Sequence, residues 1–122
     1  MNDNGMELYF AETALNDAIL TGENQIFLSS SPMRSDVLRD YVVTLAAPLD
    51  ITLWDGFVIL PNDAKVIFLN VDNRVMSAFS GNVYVINCFN KTNFSYVSEL
   101  ASMWTMLKKH RVVFFSADDT VM

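Results

Sequence analysis

Glu99 is the carboxylate whose surroundings best suit chemistry. It stands in NFSYVSELASMW, a helical apolar pattern entered directly from the strand-like run NVYVINCF and followed by the basic end LKKHR. A glutamate in a first helical turn faces the positive end of the helix dipole, which favours it by a few tenths of a kcal/mol. The same position, just past a strand end, is also where α/β sheets bind ligands. The residues leave both readings open. Ser29, Ser30 and Ser31, at the end of QIFLSSS, offer hydroxyl and amide donors to an anion, or form a plain strand-to-loop transition with Ser31 capping the next helix. Ser95 near the helix start adds another donor, and Trp54 an aromatic surface that can equally belong to a core. His110 is lone, with no second histidine or acidic partner at metal or triad spacing, and reads as a helix-end residue. Asp118 and Asp119 lie near the end of the chain with no glycine loop to present a phosphate, and no Walker loop, dinucleotide fingerprint or CxxC motif occurs.

These residues need elements to position them. ELYFA (7–11) reads as a short edge strand followed by a weak helical turn. QIFLSSS is a buried strand, SDVLRDYVVTLAA an amphipathic helix stopped by Pro48, and DITLW a second core strand. FVILPNDAKVIFLNV is either two strands around a Pro-Asn-Asp turn, giving a β-hairpin at 57–71, or a loop leading into a helix from about 64 to 79. VYVINCF is a strand with Cys88 as a small buried hydrophobe. The helix that follows carries Val97, Leu100, Ala101, Trp104 and Leu107 on one stripe, and RVVFF is the last strand. This alternation predicts an α/β fold: a flavodoxin-like three-layer sandwich with a mostly parallel central sheet of four to five strands. Its carboxyl rim should gather Ser29–Ser31, Trp54, Asp55, Asn87, Asn90, Ser95 and Glu99.

The bulk composition narrows the classes. The 122 residues are 52% apolar and 18% charged, so a single packed domain is expected rather than a disordered chain. No apolar run reaches the roughly 18 residues of a membrane span, no signal peptide is visible, and the lone cysteine fits a reducing compartment; the expected setting is the cytoplasm, without membrane contact. The net charge of −6 is uneven. Residues 1–25 hold five carboxylates and no Lys or Arg, leaving nine acidic against eight basic residues elsewhere. The chain thus divides into an acidic N-terminal segment, 1–24, and one α/β domain, 25–122. Without clustered Lys or Arg, nucleic acid is not expected as a partner.

IFLSSSPMRSDVLRDYVVTLAAP, ITLWDGFVILPND, NVYVINCFNKTNFSYVSELASMW and HRVVFFSADD, in that order, resemble the boxes of a TIR (Toll/interleukin-1 receptor homology) domain over about residues 25–119. Asn62 stands where that family's loop has glycine, and SEL replaces its CxxEL. The resemblance implies a signalling or defence domain and a hydrolase cleaving the nicotinamide–ribose bond of NAD. Glu99 would stabilise the oxocarbenium-like transition state, and Ser29, Ser30, Ser31, Trp54 and Ser95 would hold the dinucleotide. NAD would be substrate, with no resident cofactor or metal. The alternative is a non-catalytic interaction module (adaptor, decoy or inhibitor) that binds a protein partner or itself through the acidic segment or the 54–63 loop.

Overall fold

Ala11, Ala14, Leu15 and Ala18 recur at helical spacing and are all buried, so the chain opens with a helix, α1 (Asp3–Thr21), laid on the sheet by a face of small residues. The expected edge strand at 7–11 lies within it. Alanine is the best helix former, and its small apolar face escapes a reading keyed to larger hydrophobes. Gly22, at φ +76, ends α1 with its amide on the Ala18 carbonyl.

The computed structural model describes residues 3–71, 80–89, 93–105 and 111–115. After α1 come β1 (Gln25–Ser29), α2 (Pro32–Leu45), β2 (Thr52–Trp54), β3 (Phe57–Ile59), β4 (Lys65–Asn70), β5 (Asn82–Ile86), α3 (Phe94–Thr105) and β6 (Val112–Phe115). They form one mixed six-stranded sheet in the order β2-β3-β4-β1-β5-β6. β4, β1, β5 and β6 run parallel, while β2 pairs antiparallel with β3, and β3 with β4.

The α/β class therefore holds, but the sheet has six strands rather than four or five, and its antiparallel end is not specifically flavodoxin-like. Of the two readings of 57–71, the antiparallel pair β3–β4 is the one formed, and no helix begins at 64. The physical reason is two turns. Asp55-Gly56, with Gly56 at φ +87, closes a two-residue hairpin in which Trp54 pairs with Phe57. Asp63, at φ +70, closes the next turn with its amide on the Leu60 carbonyl, and the Asn62 side chain accepts from the Ala64 amide. DITLW is consequently an exposed edge strand, not a core one.

Helices cover both faces. On one face α1 and α2 enclose Phe27, Leu38, Val42, Val66, Phe68 and Tyr84; on the other α3 brings Val97 and Ala101 onto Ile26, Leu28, Ile67, Val83 and Val85. Phe68, Phe27 and Tyr84 are register neighbours across β4, β1 and β5 and stack in a row, with centroids 5.8 and 5.0 Å apart. Each such ring pair adds about 1 kcal/mol beyond the area it buries. Among the described residues no helix is long and apolar enough to cross a membrane.

Candidate functional site

β1 ends at Ser29 because the chain must turn there into α2, and that turn fixes the serines. Ser31 adopts extended backbone as the N-cap, its Oγ accepting from the Arg34 amide at 3.2 Å, with Pro32 at the first helical position, where its missing N–H costs nothing. Ser29 is buried, and its Oγ lies 2.7 Å from Ser35 Oγ of α2 and 3.1 Å from the Ser31 carbonyl. Ser35 Oγ donates to the Leu69 carbonyl of β4 at 3.1 Å. These hydroxyls stitch β1, α2 and β4 together. Ser30 is the exposed member of the three.

The remaining predicted residues are elsewhere. Trp54 ends β2, three strands from β1, or about 14 Å at ordinary strand spacing. It is 55% exposed, stacks on Phe57 at 6.2 Å, and its carbonyl accepts from Arg39. Ser95 and Glu99 are exposed residues of α3, on the sheet face opposite α2. Glu99 is not in the first turn, and it sits two residues from both Val97 and Ala101, the pair that faces the sheet. At 100° per residue that places it on the outer side of the helix. The dipole reading and the catalytic reading of Glu99 both lose their footing. The structure brings Ser29 and Ser31 together at one rim and separates them from Trp54, Ser95 and Glu99. The side chain of Trp104 and residues Asn90, His110, Asp118 and Asp119 lie outside what the structure describes.

At the same rim β5 runs out through Ile86 into Asn87, whose φ of +53 suits asparagine better than most residues. The Asn87 amide donates to the Phe115 carbonyl at 2.7 Å. Cys88 then tucks its thiol toward the Leu28 carbonyl, and burial pushes its pKa up to about 12, so the neutral thiol is inert. Phe89, Phe94 and Phe114 pack edge-on and tilted beside it, with centroids 5.1 to 5.8 Å apart.

Two further features were not anticipated from the sequence. Glu7, from the acidic segment, is buried and ion-paired with Arg34 in the first turn of α2. At the opposite rim Asp17 Oδ2 accepts from Gln25 at 3.0 Å, Asn82 at 2.8 Å and Arg111 at 3.0 Å, while Tyr84 donates to Gln25. The signal for both was helical spacing: Glu7 lies four residues before the buried Ala11 and Asp17 three residues after the buried Ala14.

The crystal structure of the HK97 bacteriophage large terminase superposes with a TM-score of 0.78 over 96% of this chain and 28% of that one, at 11% identity. In sequence the chain is 34% identical, over 118 residues, to the terminase ATPase subunit of Escherichia phage P2, and 33% identical over 113 residues to the probable terminase ATPase subunit of Haemophilus phage HP1. It spans about a fifth of the length of these relatives. No family model matches.

These similarities overturn the TIR resemblance and with it the NAD-cleaving and adaptor readings, the hydrolase and NAD assignments, and the exclusion of nucleic acid. The boxes that suggested TIR are short strand-and-turn patterns shared by many α/β sheets, and a 34% identical match extending over 96% of the chain outweighs them.

Proposed function

We propose that this chain is a terminase-type module that works in packaging phage DNA. The observation that carries the reading is the 34% identity running through 96% of the chain, which leaves no element outside the match. The likeness in fold to a large terminase supports it from an independent direction. Terminases act on nucleic acid, so DNA returns as the relevant substrate of the assembly. The test is genetic: delete the gene from its native genome and measure nuclease-protected DNA in particles. A fall restored by supplying the chain in trans supports the reading, and unchanged protection overturns it.

A further inference from the structure

α1 turns its small side chains inward and most of its large ones outward. Ala11, Ala14 and Ala18 are buried, whereas Leu8, Tyr9, Ile19 and Leu20 are exposed, Leu20 at 84%. Apolar stabilisation scales with the area removed from water, so an alanine methyl contributes a fraction of what a leucine would. Leu15 and Phe10 add larger contacts, the Phe10 ring lying 6.2 Å from Tyr84 and 5.6 Å from Phe115. The strands beneath have other cover. Ile26, Leu28, Val83 and Val85 pack against α3 on the opposite face, and Leu38 and Val42 of α2 share the α1 face.

Polar ties hold the helix at both ends. Near its start Glu7 pairs with Arg34 of α2. Near its end Asp17 accepts from Gln25, Asn82 and Arg111, and Asn62 Nδ2 donates to the carbonyls of Ala18 at 3.0 Å and Ile19 at 3.3 Å. Beyond the helix the attachment changes within three residues. Gly22, at φ +76, has open space where a Cβ would stand. Asn24 is already fixed to the sheet. Its carbonyl accepts from the Asn82 amide at 3.0 Å, and its side chain accepts from the Lys65 amide at 2.9 Å and donates to the Ser80 carbonyl at 3.2 Å. A glycine between a helix and a clamped residue can absorb the backbone rotation of a hinge.

We propose that α1 is a clasp that swings open as one unit about Gly22 while the sheet, α2 and α3 stay folded, uncovering Tyr84 and Phe115 where Phe10 rests. An element with small apolar contacts opens locally at lower cost than the core it covers. Native-state hydrogen exchange of the full chain, read amide by amide by NMR, tests this. The amides of Ala11, Ala14, Leu15 and Ala18 should exchange faster than those of Ile26 to Leu28 and Val83 to Val85. Asn62→Asp keeps the acceptor for the Ala64 amide and removes the donor to α1, so it should speed the four helix amides together, by about tenfold. Val97→Ala truncates a contact on the far face of the sheet. It should speed the strand amides about tenfold and leave α1 within about twofold, because that contact survives when α1 opens. Should Val97→Ala not fold, low urea makes the same separation, with a shallow dependence for α1 and a steep one for the strands, following the surface each opening exposes. Exchange of α1 in step with the strands, in Val97→Ala or in urea, overturns the proposal, as does an α1 rate that Asn62→Asp leaves unmoved.

Discussion

The Glu7 carboxylate, 1% exposed, is held by the Arg34 guanidinium, so the first helix is locked to the start of the second through charge as well as packing. The two partners are unequal, because the Arg34 side chain keeps 36% of its surface in water while that of Glu7 keeps 2%. Breaking the pair from either side therefore has different consequences. Arg34→Ala takes the compensating guanidinium from a buried carboxylate and should cost about 3 kcal/mol, whereas Glu7→Ala leaves an arginine that can turn to solvent and should cost about half as much. Urea unfolding of both variants checks this, and equal losses would show that the burial is not what sets the energy.

Asp17 gathers donors from three strands or their ends, which makes it the tie at the amino rim of the sheet. Asp17→Ala would take the acceptor from the buried Asn82 amide and one of two from the buried Gln25 amide, which keeps the Glu23 carbonyl. The expected loss is about 2 to 4 kcal/mol, since each stranded donor costs roughly 1 to 3. Thermal unfolding measures it. Asp17→Asn should recover only part, because one of its terminal atoms becomes a donor facing donors.

Stability should fall on the alkaline side. Burial raises Cys88 from 9.0 to about 12; burial likewise raises Tyr84 from 10.0 to about 12, with Arg111 opposing and Asp17 reinforcing. Both groups stay protonated in the fold after the unfolded chain has begun to lose the proton. Their contribution is thus fully present below about pH 9 and is lost as pH rises from there toward 12. Urea midpoints between pH 8 and 11 should decline, less steeply in Cys88→Ala. In the native state at pH 8 the thiol should react with a disulfide reagent only at the rate of local opening.

Aromatic residues of similar appearance in the sequence should differ sharply. Phe27→Ala removes the middle of the Phe68–Phe27–Tyr84 row and should cost about 4 kcal/mol. Trp54→Ala, on the exposed edge strand, should cost about 1 kcal/mol or less. Glu99→Ala should change stability by under about 0.5 kcal/mol, as an exposed side chain on the outer face of α3. Denaturant melts of the three rank them directly.

Much of the fold was legible because local rules and global packing agree. QIFLS and NVYVI are continuous apolar runs bounded by turn residues, and such runs become strands buried on both faces, whereas the equally apolar KVIFLN stayed open between strand and helix until its pairing with β3 decided it. Ser31-Pro32 announced the start of α2 by cap and ring geometry alone. The signal for the Asp55-Gly56 hairpin was also present, but a Trp-Asp strand end followed by a loop fits the same letters.

The amino-acid sequence by itself determined the α/β class, the buried strands β1 and β5, two of the three described helices and the absence of a glycine–lysine phosphate loop in these 122 residues, because these follow from periodicity, residue identity and covalent restrictions on φ. Only the tertiary structure decided which face each side chain takes. It sent Glu99 outward, put Glu7 inward against Arg34, turned DITLW into an exposed edge and engaged Ser29 with Ser35. Those outcomes depend on strand order and on which helix covers which face. They are set by contacts between residues far apart in the chain, and no short window of letters contains them.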